Sequence, residues 1–154
     1  MLHALILAAA TTLAPIAGST AAWLNAEHAP ATAGKVTVVD VFTFGCINCK
    51  HVVPELRRLR AAEPESDLAI IGVHAPETPY ERERTNVRGA LHDQDITWPV
   101  VIDNDFAIWK AYGVDAWPTQ LVFDRHGKLR ATYVGEGSDA ELERTVHELL
   151  AERK

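Results

Sequence analysis

A Cys-x-x-Cys pair constrains this chain more than any other feature. Both cysteines of the 154 residues lie in Phe42-Thr43-Phe44-Gly45-Cys46-Ile47-Asn48-Cys49-Lys50. An apolar run, Val36 to Val41, comes before it. After it Val52, Val53, Leu56, Leu59 and Ala62 recur at helical spacing. The pair therefore stands where a buried strand ends and a helix begins. Its sulfurs meet only if the second cysteine turns back toward the first, as a first helical turn makes it do. Backbone N–H groups at a helix start favour a thiolate, so Cys46 reads as the nucleophile and Cys49 as the resolving thiol. A structural clip closing so small a loop would constrain the unfolded chain little. A zinc site needs about four ligands, and neither a second cysteine pair nor a histidine pair at ligand spacing is present.

The remaining elements follow from periodicity and turn residues. Val36 to Phe42 reads as a central strand, apolar on both faces except at Asp40. Lys50 to Ala62 reads as a helix that Pro54 should kink. Leu68 to His74 is a second buried strand, completing a βαβ unit with a right-handed crossover. Tyr80 to Leu91 reads as a polar helix whose Glu81-Arg82-Glu83-Arg84 alternation is a solvated face. Trp98 to Asp103 is a third strand and Asp105 to Tyr112 a helix stopped by Gly113. Thr119 to Asp124 and Leu129 to Val134 form a hairpin around Arg125-His126-Gly127-Lys128. A last helix carries Leu142, Val146, Leu149 and Leu150 on one stripe, with Ser138 or Asp139 as its cap. The order β-α-β-α-β-α-β-β-α is simplest as an α/β fold, a mixed sheet with helices on both faces.

Composition narrows the function. An apolar content of 47% suits one domain with a real core. The net charge of -6 is scattered, which argues against nonspecific nucleic-acid binding. Residues 1–22 carry no Asp, Glu, Lys or Arg, hold an apolar run from Leu5 to Ala10 and end in small residues. That stretch reads as a secretory leader with a cut near Ala21 or Ala22, although a basic n-region is missing. The alternatives are a retained extension packed on the domain and an uncleaved membrane anchor, which Thr11, Thr12 and Pro15 disfavour. The domain itself is expected over residues 23–154.

Other residues qualify as site candidates. Asp40 is either a strand-end carboxylate bonded to a turn or a buried acid behind the cysteines that exchanges a proton with Cys49. Trp117-Pro118 precedes a buried strand, where proline cannot donate to the ladder. A cis bond there would expose the Trp117 backbone as a docking edge for an extended substrate. The alternatives are an ordinary trans proline and a core tryptophan. His74 and Glu77 end the second strand and either tune the thiols or satisfy loop amides.

The Cys46-Ile47-Asn48-Cys49 motif, Pro54 and Trp117-Pro118-Thr119 resemble the thioredoxin superfamily. More narrowly, the chain resembles TlpA-like extracytoplasmic thiol–disulfide oxidoreductases, above all the thioredoxin-like domain of DipZ-type proteins. Trp23-Leu24-Asn25, Ile71-Gly72-Val73-His74, Asn86-Val87, Asp103-Asn104-Asp105, Trp109, Ala111-Tyr112-Gly113 and Gly135-Glu136-Gly137 carry that likeness. It implies a thioredoxin-like fold in which Val73 to Trp98 is the TlpA-like insertion. It also implies Cys46 as attacking thiolate, Cys49 as resolving thiol, Pro118 as the cis proline and Asp40 as the buried proton-transferring acid. Phe42 and Gly45 depart from the pattern. A glycine before Cys46 leaves that thiol less covered, so narrow substrate selection is not expected.

The implied activity is reduction of disulfides in extracytoplasmic proteins, in the periplasm or secreted, with a tether or a cytoplasmic site as variants. Partners are protein thiols and disulfides, and a separate membrane protein would donate electrons. The exchange needs no cofactor and no metal. Two other readings stand beside it. A peroxiredoxin-like peroxidase would use Thr43, three residues before Cys46. A non-enzymatic binding domain would carry an idle cysteine pair.

Overall fold

The computed structural model describes residues 9–152. Seven consecutive buried residues make β2 (Val36–Phe42) the middle of the molecule. It pairs in parallel with β3 (Leu68–His74), which pairs in parallel with β4 (Val100–Ile102). On its other side β5 (Thr119–Phe123) runs antiparallel, followed by β6 (Leu129–Val134). A two-residue strand, β1 (Trp23–Leu24), closes the far edge against β4. The order is β1-β4-β3-β2-β5-β6. The fold is α/β and thioredoxin-like, with a mixed sheet covered on both faces.

Strand alternation divides the core in two. On one face Val36, Val38 and Phe42 pack with α2 (Ile47–Ala62), α3 (Arg84–Asp93) and α5 (Asp139–Ala151) through Leu56, Leu91 and Val146. On the other, Val39 and Val41 pack with α4 (Ala107–Ala111) and with α1 (Ala14–Ala17), a short helix inside the stretch read as a leader. Leu13 and Ile16 are buried there. Thr12 bridges to Lys128, and the Tyr112 hydroxyl donates to the Thr12 carbonyl at 2.8 Å.

Several elements differ from expectation in their limits, among them β4, expected from Trp98 to Asp103 but paired only over Val100–Ile102. The first helix begins at Ile47 rather than Lys50, because Cys46 caps it, and it runs through Pro54. The polar helix splits into a 3-10 turn, Pro79–Arg82, and α3, because Thr78 and Glu81 form a reciprocal capping box. The helix after β4 starts late, at Ala107, since both Asp103 carboxylate oxygens accept N–H bonds from Ile108 and Trp109. Within the described residues, no helix is long and apolar enough to cross a membrane.

Candidate active site

The parity of β2 settles where Asp40 points. Val38 and Phe42 face α2, so Asp40 between them faces α2 as well. The strand then delivers Thr43, Phe44 and Gly45 into a turn that ends at Cys46, the N-cap of α2. The Cys49 N–H donates to Cys46 Sγ at 3.4 Å, which aims a helix-start donor at the more exposed of the two sulfurs. Both cysteines are free thiols; Cys46 is half-buried and Cys49 only 2% exposed. Burial raises the Cys49 thiol far above its ordinary range. Its bond to Cys46 and the nearby Asp40 charge push the same way. Cys49 therefore needs a base to become a nucleophile.

Asp40 is a buried acid whose charge Cys49 senses. It is 2% exposed, and desolvation lifts its carboxyl to about 7, against the opposing pull of a bond from Gln120. Gln120 stands directly across from it on β5 and donates Nε2–H to Asp40 Oδ1 at 2.8 Å. An acid near neutrality both accepts and returns a proton at physiological pH.

The other flank of the motif is held by residues of β3 and the crossover. Glu81 is 3% exposed, not part of a solvated face. Its carboxylate accepts backbone N–H bonds from Gly45 at 3.1 Å, Glu77 at 2.7 Å and Thr78 at 2.8 Å. Burial works to raise its carboxyl, but hydrogen bonds from Thr78, Glu77 and Thr43 outweigh that and hold it below the usual range. A Cβ on residue 45 would lie 2.2 Å from Glu81 Oε1, so any larger residue there displaces the Glu81 carboxylate. His74 is fully buried beneath the same loop. Its Nε2 lies 3.4 Å from both the Phe44 N–H and the Thr43 hydroxyl, and its ring stacks on Phe44. Burial lowers the His74 imidazole to about 4, leaving it neutral at physiological pH. Glu77 contributes a backbone N–H to this network. The carboxylate that grips the loop is Glu81, signalled in the sequence by Thr78-x-x-Glu81.

Pro118 follows a cis peptide bond from Trp117. Thr119, the next residue, pairs with Val41, so Pro118 lies at the strand end from which the cysteine loop departs. The Trp117 indole donates to the Ala75 carbonyl at 3.0 Å and packs on Trp109, ring centroids 4.6 Å apart. The structure thus gathers Cys46, Cys49, Asp40 and Gly45 around one turn, with Trp117 and Pro118 on the neighbouring strand end. Gln120 and Glu81 complete the arrangement. Gln120 carried no signal of its own, since its value depends on the β2–β5 register.

A free thiol at a helix start, a buried second thiol, a buried acid behind it and a cis proline on the adjacent strand form a thioredoxin-like cysteine pair on a thioredoxin-like sheet. The Redoxin family model matches residues 17–149, and the chain belongs to that family. It is 37% identical over 125 residues to NHL repeat-containing protein 2 of Bos taurus, covering 78% of this chain and 17% of that one. It is 35% identical over 121 residues to Protein DipZ of Mycobacterium tuberculosis, covering 79% and 17%. The chain spans less than a fifth of the length of these two relatives. The solution structure of a thioredoxin-like protein in the oxidized form aligns with a TM-score of 0.80 at 26% identity, over 94% of this chain and 97% of that one.

Proposed function

We propose that this protein is a TlpA-like thiol–disulfide oxidoreductase that reduces disulfides in extracytoplasmic proteins. The observation that carries the reading is the pairing of a half-exposed thiol at a helix N-cap with a buried thiol beside a buried acid of near-neutral pKa. The Cys46 thiolate attacks a substrate disulfide. One substrate sulfur leaves as a thiolate, and the other becomes bonded to Cys46. Cys49 gives its proton to Asp40 and attacks Cys46 Sγ, which expels the second substrate sulfur. Two electrons pass to the substrate, and the protein is left with a Cys46–Cys49 disulfide.

The surface around the pair suits an unfolded polypeptide. Among the described residues the exposed large apolar side chains are Ile47, Tyr80 and Val134. Ile47 follows Cys46, Tyr80 lies edge-on to Phe44, and Val134 stands opposite Thr119 beside Pro118. Trp117, its indole tied down, offers its backbone as the docking edge. Exchange is favoured over peroxidase chemistry because the Thr43 hydroxyl is engaged beneath the loop with His74. A membrane-bound electron donor supplies the electrons. The packing of Leu13 and Ile16 supports an export segment retained on the domain rather than cut near Ala21. Amino-terminal sequencing of the exported protein tests that point.

The decisive test is trapping. Cys49→Ser should accumulate a mixed disulfide with substrate through Cys46, and Cys46→Ser should accumulate none. Equilibration in graded thiol buffers should place the couple near thioredoxin, about -270 mV; a value near about -120 mV would make it an oxidant and overturn the direction. Absence of any reversible two-electron transition would leave the binding-domain reading.

A further inference from the structure

We propose that Gln120 is a positioning residue for the resolving step: its amide fixes which oxygen of Asp40 receives the Cys49 proton and keeps that carboxyl in its basic form at neutral pH. The proposal rests on the exchange reading above.

The geometry is specific. Gln120 and Asp40 are cross-strand partners, both 2% exposed, and the amide Nε2–H reaches Asp40 Oδ1 at 2.8 Å. With a donor filling Oδ1, a proton carried by Asp40 resides on Oδ2. A buried carboxylate also needs a donor to remain ionised, because burial penalises the charge. The surroundings offer few alternatives. On β3 the residue at the same level is Gly72, and the next on that face is His74, neutral above about 4. From α5 the buried residues are Leu142, Val146 and Leu149. From α2 the buried titratable residues are Cys49, which senses the Asp40 charge, and Glu55, which is paired with Arg58. None of these buried residues is a cation at neutral pH, so the neutral amide is what stabilises the base. Position 120 lies within a fully buried strand, Thr119–Phe123, followed by Leu121, Val122 and Phe123, where a leucine or methionine would pack without desolvating an amide.

Replacing Gln120 with methionine keeps length and removes the donor. The proton then stays on Asp40 to higher pH, and Cys49 lacks its base at neutrality. The test uses full-length protein carrying a 5-thio-2-nitrobenzoate mixed disulfide on Cys46. Attack by Cys49 on Cys46 Sγ expels the coloured thiolate, with the Cys49 proton passing to Asp40. Release at pH 7 should be about fivefold slower in Gln120→Met, with the rate regained near pH 9 as the profile moves up by about one pH unit. Gln120→Leu should behave alike, so one poorly folding variant does not decide the outcome. In an Asp40→Asn background Gln120→Met should change the rate less than twofold. Carbon-13 titration of the Asp40 carboxyl reads the same displacement without any turnover. An unmoved pH profile, or equal slowing with and without Asp40, overturns the role of Gln120. Failure of the unsubstituted protein to expel the thiolate at any pH overturns the exchange reading instead.

Discussion

The two flanks of the cysteine turn are built from opposite electrostatic solutions. Behind Cys49, one buried acid meets one neutral amide, and its carboxyl lies at about 7. Ahead of Cys46, a buried acid meets three backbone N–H donors and is fixed in its charged form, while the neighbouring imidazole is fixed neutral. The count and kind of donors make the difference, since both carboxylates are nearly inaccessible to water. A carboxylate that only shapes a loop is given enough hydrogen bonds to hold its charge. A carboxylate given one is left able to gain and lose a proton near neutrality.

The contrast is open to attack by titration. The largest effect belongs to Asp40. Its folded carboxyl, near 7, lies above the ordinary value of 3.8. Between those values the native state holds a proton that the unfolded chain has lost, so Asp40 costs stability as pH rises through the window and nothing further above 7. The loss is on the order of 4 kcal/mol. Asp40→Asn should therefore gain on the parent protein from pH 4 to pH 7 in urea unfolding, then hold a constant advantage. A difference that stays flat across that range would show that Asp40 titrates normally.

His74 carries the next effect, with the opposite sign. Its folded value, about 4, lies below the ordinary 6.5, so its contribution is lost as pH falls from 6.5 to 4. That loss is on the order of 3 kcal/mol. The two slopes oppose each other across this acid window and leave the parent protein nearly level there. His74→Gln should remove one slope and show stability falling steadily from pH 4 to 7. A level profile in the variant would break the pairing of the two groups.

The smallest effect tests the clasp. Glu81→Ala frees three backbone donors and should lower stability by about 2 kcal/mol, or about 6 °C in thermal midpoint, at pH 7. Gly45→Ala should cost about 1 kcal/mol in the parent, because the added methyl meets Glu81. In the Glu81→Ala background it should cost much less. Additive losses in a double-mutant cycle would mean that glycine is required at 45 for another reason.

What the sequence revealed follows its local signals. Strand ends, the Cys46–Cys49 turn and the hairpin at Arg125 to Lys128 are written in short-range pattern. The face toward which Asp40 points depends on register, and register is set by pairings with residues as far away as Gln120. Glu81 was readable from its capping box, yet the charge alternation around it resembles a wet helix surface. Its burial arises only when the crossover folds back over Gly45. The packing of α1 stood only as one alternative, because an apolar segment without charges looks alike whether it will be exported, inserted or folded.

That segment also has a place in time. Thr12 pairs with Lys128, the Thr11 carbonyl accepts the Leu129 N–H, and Ala10 donates to the Ala111 carbonyl. These docking points lie on residues 111, 128 and 129, so the segment meets them only after those residues have been made. Until then Leu13 and Ile16 have none of these partners to cover them. Completion of β6 ends that exposure, and the segment becomes a seal over one face of the sheet.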